Sequence, residues 1–294
     1  MIRTHAPSRI AKTLEKGRYI AFRLRQRPLM TVGMAIILCV VTAAVFAPLI
    51  AHYDPYAINL RARLQPPGSA HWFGTDEVGR DIFSRIVYGA RQSVSIGIFV
   101  VLIAGGVGST LGGLSAMIGG WTDTAIMRLM DVLLSFPSLV LIMALAAALG
   151  PSLLNAMLAI AIVRIPFYVR LARGQTLSLR SMDYVRAART FGVGNWRILR
   201  WHIAPNALSP IIVQGTLDLG GAILMASALS FIGLGAQQPT AEWGAMVATG
   251  RNFILDQWWY SGFPGFAILI TAMGFNLLGD GLRDILDPKQ KERQ

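Results

Sequence analysis

The residue types that could do chemistry are few in this sequence, and their spacing argues against most reactions. Four histidines, His5, His52, His71 and His202, lie far apart and form no HExxH or other paired metal-ligand spacing. Serines are plentiful, but none sits in a G-x-S-x-G nucleophile elbow. The glycine-rich run from Gly105 to Gly113 has the outline of a phosphate cradle. A P-loop, however, needs Gly-Lys followed by Ser or Thr, because its lysine reaches the nucleotide phosphates. No Gly-Lys pair occurs here, and the four lysines, Lys12, Lys16, Lys289 and Lys291, all fall near the chain ends. The lone Cys39 has no partner for an internal disulfide. The chain is therefore expected to hold no metal or cofactor and to hydrolyse no ATP by itself. Two ionisable residues stand out instead, Arg164 and Asp218, because each lies inside an apolar run. Charges at such depth are costly and often line a pathway.

The elements that must position these residues follow from composition. The 294 residues are 54% hydrophobic and only 14% charged, with mean hydropathy +0.52. A soluble domain carries roughly 25% charged residues to solvate its surface. Most of this exterior must face an apolar medium, which excludes a disordered chain, a collagen-like repeat and a disulfide-stapled secreted domain. A hydrocarbon core ~30 Å thick needs roughly 20 helical residues at 1.5 Å each. Six apolar runs qualify: 29–50, 93–118, 130–149, 153–171, 208–232 and 263–278, the last extending back to Trp258, Trp259 and Tyr260. The first run exceeds the roughly 7–15 residues of a signal-peptide core and reads as a retained anchor. Pro137 is expected to kink the third run by removing a helical hydrogen bond. Gly108 and Gly112, with Gly105, Ser109 and Gly113 beside them, form small-residue rows that let helices approach closely.

The net charge of +12 raises nucleic-acid binding, but the positions of the charges oppose it. With the N-terminus inside, segments 1–28, 119–129, 172–207 and 279–294 hold 19 Lys and Arg, against 6 on the other side. This bias puts both termini in the cytoplasm. Segment 51–92 strains it with five arginines. The organisation expected is a basic tail over 1–28, a first span over 29–50, and an extracytoplasmic segment over 51–92. A membrane domain over 93–282 and a short tail over 283–294 complete it. Within 73–92, the stripe Ile82, Phe83, Ile86, Val87 and Ala90 predicts a helix lying on the membrane surface, with the binding partner outside as one further contact.

The most informative stretch is the inside loop 179–206. Ser181 or Asp183 can cap a short helix there. Tyr184, Val185, Ala188 and Phe191 follow helical spacing on one face, while Arg186 and Arg189 point away. Gly192 and Gly194 supply a stop where positive φ is tolerated. On these residues alone, an interfacial linker resting on lipid headgroups and a helix offered to a cytosolic partner's groove both remain open.

Tyr184, Val185, Arg186, Ala187, Ala188, Arg189 and Gly192, followed by Ile203, Ala204, Pro205 and Asn206, resemble the EAA loop of bacterial ABC-type permeases. Arg186 stands where that family carries glutamate, and Ala204 where it carries leucine. The stretches from His71 to Arg85, Leu229 to Gln237 and Phe275 to Pro288 are similar to the C-type subunit of the dipeptide/oligopeptide/nickel import family. The resemblance implies an all-α integral membrane protein with six transmembrane helices of the type I ABC importer permease architecture and a cytoplasmic coupling helix. It implies a multi-pass bacterial inner-membrane location. Its implied partners are a homologous B-type permease, two cytosolic ATPase subunits that bind the ATP and magnesium, an extracytoplasmic binding protein and membrane lipid. The cargo implied is a di- or oligopeptide, with nickel chelates or glutathione as alternatives. Tyr184, Arg186, Ala187, Ala188, Gly192 and Pro205 would then couple to the ATPase. From their depth alone, Asp218 could meet a peptide ammonium, or be a partner in helix packing or a carboxyl kept neutral by burial, and Arg164 could mark the path with it, or snorkel or pair with a neighbouring helix. An autonomous secondary transporter or channel is the rival class; it would show internal repeats or several charges within its spans, and no repeat is evident.

Overall fold

A proline at the first helical turn, where no amide hydrogen is needed, opens α1 over Pro28–Val45. This and all further structure comes from a computed structural model that describes residues 27–286; the terminal tails and their lysines lie outside the described residues. The described residues are helical and irregular, with no strand.

Helix α2, Ile82–Ile118, has 37 residues, about 55 Å at 1.5 Å per residue and nearly twice a membrane crossing. Asp81 caps it by accepting from the Ser84 amide at 2.8 Å. The Ile82 to Ala90 stripe is thus the first part of span two and not a separate surface helix. Ile82 and Ala90 pack with Trp243, Met246 and Tyr260, and Val87 is also buried. Gly119 and Gly120, both at positive φ, turn the chain into α3 over Gly120–Leu134.

The third apolar run is also not one helix. It breaks at Ser135–Pro137, and α4, Ser138–Leu149, leaves α3 at 91°. Pro137 lacks an amide hydrogen and pushes Phe136 out of helical geometry, so the expected kink becomes a full break. Helix α5, Leu153–Arg180, is capped by Ser152 and absorbs Pro166. After the loop described below, α7, Ala204–Phe231, α8, Trp243–Gly250, and α9, Trp258–Leu286, complete the chain; α6 is the short helix Asp183–Thr190 within that loop. Among the described residues, five helices are long and apolar enough to cross a membrane, six if the bent pair counts as one crossing.

Helix α2 packs along α5, α7 along α9, and α9 along α1. The α2–α5 contact rests on the small-residue row. A side chain at Gly112 would overlap the Val169 carbonyl, and one at Gly108 would meet Tyr168 Cβ at 2.5 Å and the Ile165 carbonyl at 2.8 Å. Ile96, Val100, Ile142, Ile160, Ala222 and Leu229 form the main core between these helices.

Of the five arginines in segment 51–92 that strained the charge count, Arg80 and Arg85 are folded inward, while Arg61, Arg63 and Arg91 are exposed. Arg80 Nε donates to Asp76 Oδ2 at 2.5 Å. Arg85 Nη1 donates to the carbonyls of Pro55 at 2.9 Å and Pro239 at 3.4 Å. Arg91 reaches the carbonyls of Ala44 and Val45 at the end of α1. Glu242, fully buried, caps α8 by accepting from the Gly244 and Ala245 amides at 2.9 and 2.8 Å. Burial pushes its carboxyl up, against the pull of those two amides.

Candidate functional site

Helix α6 forms within the expected loop, but its cap differs. Met182 is the residue before the first helical position and no side chain caps it; Ser181 Oγ instead donates to the Ser178 carbonyl at 2.7 Å, and Asp183 is exposed. The far end closes at Gly192 as expected, whereas Gly194 is extended at φ −65° and leads into the next short turn of helix, Asn195–Ile198. Gly192 adopts φ +79°, its amide donates to the Arg189 carbonyl at 2.9 Å, and Val193 donates to the Ala188 carbonyl at 3.1 Å. These two bonds make a Schellman stop.

The expected single apolar face splits in two. Val185 and Ala188 turn inward onto Ile198, Ile203 and Met117, while Tyr184 and Phe191 turn outward. Burying Val185, Ile198 and Ile203 contributes roughly 1.5–3 kcal/mol each toward holding α6 against the membrane helices. The outward face carries Tyr184, Ala187 and Phe191, spaced i, i+3, i+7, with Phe191 85% exposed. Arg186 stands beside this row, exposed and only loosely paired with Asp183 at 3.9 Å. Asn206 Nδ2 donates to the His202 carbonyl at 2.7 Å, and the Tyr184 hydroxyl lies 3.4 Å from the same oxygen. Pro205, exposed, stands at the start of α7, just after a π-type turn over Leu199–Ile203.

The base of this stub is tied to α2 and α3. Arg180 Nη1 donates to the Ala116 carbonyl at 2.9 Å. Arg173 grips Asp123 with two bonds of 2.7 Å, and the Ser115 hydroxyl also donates to that carboxylate. The Arg173 guanidinium, with help from Ser115, lowers the Asp123 carboxyl to about 2.

The two deep charges meet. Arg164 Nη2 on α5 donates to Asp218 Oδ1 on α7, and Gln214 Nε2 donates to the same oxygen at 3.2 Å. Arg164 lies about 17 Å along α5 from Leu153, near mid-membrane for that helix. Asp218 is buried and already engaged, so its carboxylate is not presented to an incoming ammonium. Sequence reading singled out both charges but neither Gln214 nor Tyr168. Gln214 is one turn before Asp218, a spacing that could have marked it. Tyr168, packed over Gly105 and Gly108, gave no signal of its own.

Residues 108–292 match the family described as the binding-protein-dependent transport system inner membrane component. The chain belongs to that family. The permease also matches, over residues 17–67, the N-terminal transmembrane domain of oligopeptide transport permease C. It is 61% identical over 283 residues to the probable D,D-dipeptide transport system permease protein DdpC of Escherichia coli K12, covering 96% of this chain and 95% of that protein. It is 50% identical to the dipeptide transport system permease protein DppC of Alkalihalophilus pseudofirmus, covering 92% and 88%. The glutathione transport system permease protein GsiD of Pectobacterium atrosepticum is 44% identical, covering 91% and 89%.

Proposed function

We propose that this permease is the membrane-spanning subunit of an ATP-driven importer of di- and oligopeptides, without an ATPase motif of its own. It pairs with a homologous permease subunit, takes its cargo from an extracytoplasmic binding protein, and is driven by two cytosolic ATPase subunits. Both termini lie in the cytoplasm. The single observation carrying this reading is α6, a short helix whose inner residues lock it to the bundle while Tyr184, Ala187 and Phe191 stand unburied. A linker lying on headgroups needs no such anchored base. A lever does, because it transmits a partner's preference between two states only if it moves with the spans.

In this reading Tyr184, Ala187 and Phe191 enter a groove of the ATPase, Arg186 meets the groove's rim, and Ala188, Gly192 and Pro205 fix the stub's angle. Arg164 and Asp218 mark the path. The peptide cargo follows the D,D-dipeptide and dipeptide permeases, which are 61% and 50% identical to this chain.

The test is reconstitution. Tagged permease should retain an ATPase subunit through purification, and vesicles holding the full complex with its binding protein should accumulate a labelled dipeptide only with ATP. Uphill movement of solute by vesicles holding this chain alone would overturn the proposal in favour of an autonomous transporter.

A further inference from the structure

We infer that Arg164 is a carboxylate-docking residue of the translocation path, with Asp218 as its buried holder. The inference deepens the proposed function and rests on its reading as a peptide importer. Four observations point the same way. The Arg164 side chain is 29% exposed and that of Asp218 5%, so the half of the pair that faces outward is the cation. Only Nη2 of the guanidinium is engaged; among the described residues no acceptor takes its Nε or Nη1 hydrogens. A side chain at Gly221 would meet only Arg164 Nη2, at 3.4 Å, leaving open space beside the guanidinium. The Phe167 ring, 5.4 Å from the guanidinium carbon and itself exposed, supports the outer side.

A guanidinium near mid-membrane does not face lipid at tolerable cost, so its open edge faces water or a partner. A single bond to Asp218 leaves the second Nη2 hydrogen free, and together with the Nη1 or Nε hydrogen it makes a planar fork, the shape that takes a second carboxylate through two parallel bonds. A peptide offers that group at its C-terminus. Asp218 has two effects on such a site. It fixes the guanidinium in place, and by cancelling much of its charge it keeps the docking weak. A path needs weak docking, because a solute must leave as readily as it enters. The Tyr168 hydroxyl is buried and lies close enough to Asp218 to support its carboxylate from within the bundle.

The test begins with a neutral pair, Arg164→Gln with Asp218→Asn, which removes both charges and leaves no buried carboxylate unpaired. In the full complex it should co-purify with its partners, while uptake of a labelled D,D-dipeptide falls at least tenfold. Uptake within twofold of the parent would show the pair to be structural and would overturn the inference. The sign of the charge is then read with Arg164→Cys and Asp218→Asn in a Cys39→Ser background, which leaves a single thiol in this chain. Aminoethyl methanethiosulfonate, which restores a cation, should raise uptake at least fivefold over the unmodified variant. The anionic sulfonatoethyl reagent should react and restore nothing. Equal recovery with both reagents, or no reaction with either, overturns the inference while leaving ATP-dependent uptake by the parent complex intact. Failure of the parent complex to take up the dipeptide would instead refute the peptide reading, and the inference with it.

Discussion

Gly192 offers the sharpest probe of the coupling stub. Its φ of +79° is a conformation that L residues reach at a cost of about 1–2 kcal/mol, with asparagine the most tolerant and β-branched residues the least. No atom lies within 4 Å of where a Cβ would sit, so within this chain the cost is backbone strain alone. What opposes the strain is the pair of closing bonds from Gly192 and Val193, each contributing about 0.5–1.5 kcal/mol. The two sides are of similar size. Gly192→Val should therefore open the last turn of α6 and release Phe191 from the outward row, whereas Gly192→Asn should leave it closed. A strain of about 2 kcal/mol shifts the balance roughly 30-fold. The assay is the number of solute molecules taken up per ATP hydrolysed in vesicles holding the full complex. Asparagine should stay within twofold of the parent, alanine should be intermediate, and valine should lose at least fivefold while still co-purifying with the ATPase. Equal behaviour of valine and asparagine would refute the argument, since only positive φ separates them.

Arg186→Glu reverses a charge whose pairing with Asp183, at 3.9 Å and exposed, contributes little, so melting should barely change; uptake should fall at least fivefold if the ATPase groove that receives Arg186 is acidic, and normal uptake would place Arg186 outside the contact. Gly112→Ala puts a methyl group against the Val169 carbonyl and forces α2 off α5; a loss of about 1–3 kcal/mol should appear as a lower melting temperature of the purified chain. The Asp123 carboxyl is depressed to about 2, so its pairing with Arg173 stabilises the fold at every pH above about 4 and is lost as pH falls toward 2. The difference in unfolding free energy between the parent and Asp123→Asn should accordingly stay constant from pH 8 to 5, at no more than about 2 kcal/mol, and close below pH 4.

Much of this was readable in the sequence because the bilayer imposes a long apolar signature, and a glycine after a short helical pattern marks its end. The stub over Asp183–Thr190 and its Gly192 turn follow from such local rules. Hydropathy misleads where the backbone does not follow it. Arg91 and Gln92 end the apolar run before residue 93, yet α2 continues through them because Arg91 finds the α1 carbonyls. The run over 130–149 is apolar on both sides of Pro137, which marks the place of a bend but not its size of 91°. The stub's two-sided face was missed because spacing shows which residues share a stripe, not which stripe meets the bundle. Arg164 and Asp218 were visible one by one as misplaced charges. Their meeting, across 54 residues of sequence, depends on how α5 and α7 pack.

Helix α2 runs unbroken from the outer arginine cluster to the foot of the stub. At one end, Arg85 and the Trp243 indole, which donates to the Ile86 carbonyl at 2.9 Å, fasten it to the outer segment. At the other, Ala116 and Met117 sit against Arg180, Val185 and Ile198. A stiff beam bolted at both ends has no play. In the proposed importer, a push on the stub would therefore travel the length of this beam and reach its far end in the same stroke.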